Sequence, residues 1–404
     1  MLSISPRLRV CALASGSLLN MSCLARVYNS AVKNEENKIQ IKTALKSNDL
    51  INLASQNLQT TEKLTKFFYR QTELDISDAD FDLKWNMALE AGALKFLRSF
   101  VASYYKDLKI VSGAGPVGVC FGDAHIENFG FVVFADGPHF VYNDFDDSGY
   151  CPVGLDILRY LTSINLYEKE SPDSFEKIAQ EYVNVLSGKN APQELNSSFV
   201  FNPEKIREKK VFKFIENERF IDSPEFSKVP ENLKLEIAKA LKNNPDMQKV
   251  DMKDVVATKK EAGGSAGLEK YLIYVSDASG TKREIFECKP LIEPGTAAGE
   301  WKTLPNNRIV FLQNEIWKNL KPIDYFEVKI NDLNYVIRSR TTGSIDLNSL
   351  NSEERMDLYK SQVGIIATLH KKTWQSSDTL EKWLIQNTQF MAERYHDIIK
   401  QVSK

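Results

Sequence analysis

Gly122-Asp123-Ala124-His125-Ile126-Glu127-Asn128-Phe129-Gly130 and, a short interval later, Tyr142-Asn143-Asp144-Phe145-Asp146-Asp147 hold the densest chemistry in this chain. The residues between them read as a β-hairpin. Phe129 to Phe134 and Phe140 to Tyr142 have strand character, and Asp136-Gly137-Pro138 supplies the turn. A hairpin brings its two ends together, so Asp123, Asn128 and Asp144 are expected around one point. Carboxylates and a carboxamide are hard oxygen ligands that suit Mg²⁺ better than zinc. His125 sits in the same loop as a candidate catalytic side chain, and Asp146 as a helper at the metal. Asp156, which opens the next helical run, reads as an N-cap.

The spacing has a chemical precedent. In phosphoryl transfer one carboxylate takes the acceptor's proton while separate ligands hold the metal against the phosphates. A protein kinase places its catalytic Asp five positions before a metal-binding Asn, and a second metal-binding Asp follows after a short hairpin. Asp123, Asn128 and Asp144 stand in that order and at that spacing.

Working outward, residues from about 40 to 110 read as helical, as do those from Asp156 to Glu168 and from about 172 to 250. Near residue 254 the character changes. Val255 to Thr258, Lys270 to Val275, Arg283 to Cys288, Tyr325 to Ile330 and Tyr335 to Arg340 are expected strands, with a helix over Asn307 to Asn319. From Ser352 the pattern is helical to the end. Between the first two of these strands lies Ala262-Gly263-Gly264-Ser265-Ala266-Gly267, whose glycines let backbone approach a phosphate closely. Lys289 ends the third strand, where a kinase keeps the lysine for its nucleotide phosphates. Gly263, Gly264, Ser265, Gly267 and Lys289 are therefore the candidate nucleotide-binding residues. Glu315, on the following helix, is the candidate ion-pair partner of Lys289.

In a kinase the glycine loop and lysine precede the catalytic loop; here they follow it. The expected fold is α+β, a bilobal kinase-like fold with circularly permuted order. Residues 40–250 would form a helical large lobe with the catalytic and metal loops. Residues 254–345 would form a β-rich small lobe, and 350–404 helices returning to the large lobe.

These motifs resemble a bacterial family catalogued as domain of unknown function 2252, grouped with the protein-kinase-like superfamily. The likeness rests on Phe67 to Arg70, Gly122 to Gly130, Asn143 to Asp147, Asp156 to Arg159, Gly263 to Gly267, Cys288-Lys289 and Leu369-His370. Asp123, Asn128 and Asp144 are also similar to the triplet of aminoglycoside and choline phosphotransferases. Three departures are visible: Ala262 replaces the first loop glycine, Asp147 stands where the family usually has Glu, and the arginine-rich strand is reduced to Arg338 and Arg340.

Composition sets outer bounds. The 404 residues carry 52 Lys+Arg against 54 Asp+Glu, a net charge of −2, and are 43% hydrophobic. That excludes disorder and lacks the basic excess of a nucleic-acid binder. No apolar run reaches the ~20 residues of a membrane-spanning helix. With only 4 His, 5 Cys and no C-x-x-C pair, a structural zinc site is not expected, and the odd cysteine count argues against a disulfide framework. The first 25 residues, with Arg7 and Arg9 before an uncharged stretch ending in Cys23 and Ala25, read equally as a secretory signal or a disordered arm. Localisation stays open between cytoplasm and export.

The functional expectation is an ATP- and Mg²⁺-dependent phosphotransferase. Its partners would be a nucleotide and a small-molecule or protein acceptor the sequence does not name. Transfer of AMP instead of phosphate, a catalytically inactive kinase-like binding protein, and metal-assisted hydrolysis by the Asp/His cluster are the alternatives.

Overall fold

Apolar positions at helical spacing around Trp85, Phe96 and Phe100 fold into a group of helices, in a computed structural model of the chain. The structure describes residue 63 and residues 65–402, save 110, 169–172, 200, 261–262, 281–282, 319, 321, 323 and 375–378. The expected leader over residues 1–25 and the Ala262 substitution lie outside the described residues.

The order is mixed α+β. Helices α1 (Asp78–Glu90), α2 (Ala93–Ser99) and α3 (Val101–Leu108) come first. Strands β1 (Val117–Cys120), β2 (Phe129–Phe134), β3 (Gly137–Tyr142) and β4 (Gly149–Pro152) follow, then α4 (Val153–Tyr167), α5 (Ser174–Leu186) and α6 (Pro203–Lys210). Short strands β5 (Ile215–Glu216), β6 (Arg219–Phe220) and β7 (Ser227–Lys228) lead to α7 (Glu231–Lys242). Next are β8 (Val250–Lys259), β9 (Glu269–Asp277), β10 (Arg283–Pro290), α8 (Arg308–Ile316), β11 (Tyr325–Ile330) and β12 (Leu333–Ser339). Strand β13 (Gly343–Ser344), α9 (Ser352–His370) and α10 (Leu380–Val402) close the chain.

The helical part has one core. Side chains of α1 to α5, α9 and α10 share it with β1 to β4. Helix α4 is its axis: apart from Tyr167 and the half-buried Asn165, its side chains from Val153 to Leu166 are buried. Helix α9 starts at a capping box, in which Asn351 accepts from the Glu353 and Glu354 amides and Glu354 reaches back to the Asn351 amide. The hairpin β2–β3 forms in the expected place, with β13 added on the far side of β2.

The β part is a six-stranded antiparallel sheet in the order β11-β12-β10-β9-β8-β7. Strand β9 shows why both faces are covered. Tyr271, Ile273 and Val275 pack with Ile237 and Leu241 of α7 on one face, while Leu272 and Tyr274 meet Val211 and Phe220 on the other. The sequence reading anticipated five strands here. The sixth, β7, is two residues long and carries no periodic signal. The helix covering the sheet, α7, belongs to a stretch assigned above to the large lobe. Its apolar stripe gives the helix but not the surface it packs against.

Two other expectations are corrected. Asp156 is no N-cap: α4 begins at Val153, so Asp156 lies inside the first turn and is fully buried. Cys120 and Cys151 form a disulfide that clips β1 to β4. An odd cysteine count forbids complete pairing but not one bond. Cys288 is free and buried, and Cys11 and Cys23 lie outside the described residues.

Candidate functional site

The hairpin does what its ends require. The Asn143 amide donates to the Asn128 carbonyl at 3.1 Å, so the loop after β1 and the loop after β3 lie side by side. The turn before Asp123 is fixed from below. Both Asp156 oxygens are used, accepting from the Phe121 amide at 2.8 Å and the Gly122 amide at 2.9 Å. His370 Nε2 stands 3.2 Å from the same carboxylate, and its Nδ1 lies 2.9 Å from the Tyr182 hydroxyl. Gly122 has φ +81, and a Cβ there would fall 1.9 Å from the Asp147 carbonyl oxygen, so only glycine permits this approach.

Asp123 emerges from that turn against the buried guanidinium of Arg159, which donates to its Oδ1 through Nε at 3.0 Å and through a second nitrogen at 2.6 Å. The Asn128 side chain donates to the Asp123 carbonyl at 2.9 Å. His125 Nδ1 accepts from the Glu127 amide at 3.1 Å, which leaves Nε2 as the protonated nitrogen, 3.4 Å from Asp123 Oδ2. Burial lowers the His125 pKa, and Arg98 and Arg159 add to this against the pull of Asp123. The imidazole is therefore neutral at pH 7. Burial alone would raise Asp123, but its cationic neighbours outweigh it and hold the carboxyl well below the usual range. With His125 uncharged at neutral pH, Arg159 is the cation that keeps it ionised.

Asp144 faces the sheet. Its Oδ1 is 3.3 Å from Arg338 on β12, which also donates to Glu287 on β10 at 2.8 and 3.1 Å. Burial would raise the Asp144 pKa, yet Arg338 and Lys289 lower it. Asp146 forms a buried ion pair with Lys289. Burial pushes the Lys289 ammonium down to about 8. Asp147 is pushed up to about 7, by burial first and then by Asp123 and Asp144, although its Oδ1 accepts from the Gly295 amide at 2.9 Å.

The glycine loop closes the cleft from above. Gly263 and Gly267 have φ +99 and +84, a left-handed geometry that favours glycine. The loop is tied to the helical part, because the buried Lys84 ammonium of α1 donates to the Gly264 carbonyl at 3.0 Å and to Glu73 at 2.7 Å. A cavity of about 140 Å³ remains between loop and acidic cluster. Asp123, His125, Asn128, Asp144 and Asp146 line it together with Gly263, Gly264, Ser265 and Lys289. Gly267 is not in that lining. A larger cleft of about 770 Å³, behind the hairpin, has none of these residues.

One candidate is elsewhere. Glu315 lines the larger cleft and pairs with Lys372 at 2.9 Å, so it is not the partner of Lys289. Asp146 holds that position. The helix carrying Glu315 was read correctly, but helical spacing does not say which face turns to the lysine.

The acidic loops, β1 to β4 and α4 fall in one continuous segment. Residues 83–186 match the family model for uncharacterized proteins conserved in bacteria (DUF2252). The match supports that bacterial family, and it includes Asp123, Asn128, Asp144 and Arg159. No curated protein and no solved structure matches the chain.

Six cations escaped the site reading: Lys95, Arg98, Lys260, Lys270 and Arg338, which line the cleft, and Arg159 behind it. Arg159 had a usable signal, since it and Asp156 are the two charged residues of the run Leu155 to Leu161, and a charge on a helix this apolar is buried and needs a partner. Lys270 did not, being a strand lysine whose partner, Glu287, is fixed only by the β9–β10 register.

Proposed function

We propose that the chain is an ATP- and Mg²⁺-dependent phosphotransferase acting on a hydroxyl acceptor, built on a bilobal kinase-like fold in circularly permuted order. The observation that carries this reading is the confrontation of Asp123, Asn128 and Asp144 with Gly263, Gly264 and Lys289 across one small cleft. The order β8, glycine loop, β9, β10 with Lys289, α8, β11, β12 is that of a kinase small lobe. Here it follows the acidic loops.

The donor set fits a hard cation. Asp144 Oδ1 and Asp146 Oδ1 are buried and accept no hydrogen bond, and the Arg338 contact to Asp144 is an ion pair without hydrogen-bond alignment. Asn128, Asp144 and Asp146 are the residues that would hold Mg²⁺, which supplies a counter-charge for the phosphates. Asp123 would orient the acceptor hydroxyl and take its proton. Arg159 keeps Asp123 ionised and fixed. Lys289 and the loop amides of Gly263 to Gly267 would hold the phosphates, Lys289 leaving Asp146 as they arrive.

Thermal-shift titration tests this. ATP with Mg²⁺ is expected to raise the melting temperature of the wild-type chain, by an increment that grows with ligand concentration. Asp144→Ala should abolish the Mg²⁺-dependent part. No shift in the wild type, or an unchanged one in Asp144→Ala, would overturn the assignment. Mass spectrometry of a modified acceptor then separates phosphoryl from AMP transfer. One observation favours a second reading. The Cys120–Cys151 disulfide fits an oxidising compartment, where ATP is scarce, and there an inactive kinase-shaped binding protein is the natural alternative.

A further inference from the structure

We propose that the cleft holds a second anion, beside α2 and the glycine loop, and that the acceptor is consequently a hydroxyl compound already carrying a phosphate-type group. This deepens the phosphotransferase reading and rests on it. Most cations in the cleft are matched: Lys289 by Asp146, Arg338 by Asp144 and Glu287, and Lys270 by Glu287. Behind it, Arg159 is matched by Asp123. Two lining cations are not. Lys95 and Lys260 form no ion pair among the described residues. Arg98 pairs with Glu127, but its buried Nε donates to nothing.

These groups converge. Lys95 and Arg98 are three residues apart on α2, so they project from one face. The Lys95 ammonium lies 3.9 Å from where a Cβ on Gly263 would stand, and Lys260 enters from the base of the same loop, its carbonyl accepting from the Gly267 amide at 3.0 Å. The grouping is self-repelling. Burial and then Arg98 lower the Lys95 pKa, and Lys270 and then burial lower that of Lys260. An anion between them would turn this repulsion into attraction, and guanidinium and ammonium groups both give charge-assisted hydrogen bonds to phosphate oxygens. Arg98 pairs with Glu127, in the loop that carries Asp123 and His125, which puts an anion held by Arg98 and Lys95 beside the proton-accepting residue.

In the transfer, the acceptor oxygen forms a bond to the γ-phosphorus and the bond from that phosphorus to ADP breaks. ADP leaves with the electron pair, and the hydroxyl proton passes to Asp123. The acceptor's own anionic group is a handle and does not react.

Inorganic phosphate is the test ligand, titrated calorimetrically into the full chain saturated with Mg²⁺ and a non-hydrolysable ATP analogue. Phosphate is expected to bind, and Lys95→Gln and Arg98→Gln are each expected to weaken it about tenfold, leaving the analogue's affinity within about twofold. Lys177→Gln, on the exposed face of α5, should change neither affinity. Unchanged phosphate affinity in both variants overturns the proposal. So does a parallel loss of analogue affinity, which would make these cations ligands of the donor. If the analogue fails to bind the wild type, the phosphotransferase reading falls on its own. Phosphate binding that still drops in the two variants would then keep the anion site, and its absence would remove that too. Circular dichroism of each variant confirms that the fold is intact.

Discussion

At the scale of single residues, the cleft is governed by one buried pair. Arg159 is fully buried, donates twice to Asp123 and once to the Leu97 carbonyl at 2.7 Å, and lies over the Tyr104 ring at 5.0 Å. Such a pair contributes little relative to apolar residues of equal volume, yet breaking it is costly because the surviving charge has no water. Arg159→Met is therefore expected to destabilise the chain by about 3–5 kcal/mol in urea unfolding. Asp123→Asn combined with Arg159→Met should recover a good part of this loss, since the stranded carboxylate is gone. A single-variant loss under about 1 kcal/mol, or a double variant no better than the single, would show that Asp123 is solvated in another way. The same residue explains one limit of the sequence. Asp123 and Asn128 were legible because their spacing is local to one loop. The group that sets the charge state of Asp123 is 36 residues away on α4. Its apolar surroundings mark Arg159 as buried, but nothing in the spacing pairs it with Asp123.

At the scale of elements, legibility followed how local the determining signal is. Strands β2 and β11 have the expected bounds, while β3 begins at Gly137, inside the expected turn, because Phe134 pairs with Gly137 and leaves only Ala135 and Asp136 to turn. Strand β8 ran longer than its apolar core because pairing with β9 carries Asp251 and Asp254 into the sheet, and β10 because pairing with β12 carries Lys289 and Pro290. Of the β1–β4 pair, only Val117 to Phe121, a short apolar run after Gly113, Gly115 and Pro116, has strand character in the sequence. Gly149 to Pro152 has no alternation, and what holds it is the register Gly118 to Cys151 with the disulfide beside it. That bond closes a loop with a sequence separation of 31 that contains both acidic motifs. By loop-closure entropy it should contribute about 3–4 kcal/mol, through restriction of the unfolded chain. Cys151→Ala is expected to lose about that much stability in chemical denaturation, and a thiol reductant should reproduce the loss. Ligand affinity at the acidic cleft should survive in the variant, because the Phe121–Gly122 turn is held by Asp156 independently of the sulfurs. A stability change under about 1 kcal/mol would mean that the unfolded loop is already restricted.

Across the whole molecule, the sheet and the helical part meet through buried charge. Arg338 with Asp144, Lys289 with Asp146 and Lys84 with the glycine loop all cross the cleft. The linker after β12 adds a fourth contact. Glu284 on β10 accepts from the Thr341 hydroxyl at 3.0 Å, faces Arg207 of α6 at 3.7 Å, feels the charge of Asp324, and is itself buried. Burial raises its pKa from 4.5 to about 7 despite the hydrogen bonds from Thr341 and the Ile285 amide. The consequence for stability has a definite sign. A carboxyl with a raised folded pKa binds its proton more tightly in the native state, so stability falls as pH rises from about 4.5 to about 7 and levels off above. The whole window is worth at most about 3 kcal/mol. Glu284→Gln keeps a neutral acceptor in the same place and removes the titration. Unfolding free energies measured by urea between pH 4.5 and 8 should therefore fall more steeply for the wild type than for Glu284→Gln. The difference should grow through this window and stay constant beyond pH 8. Parallel profiles for the two proteins would show that Arg207 and solvent stabilise the carboxylate.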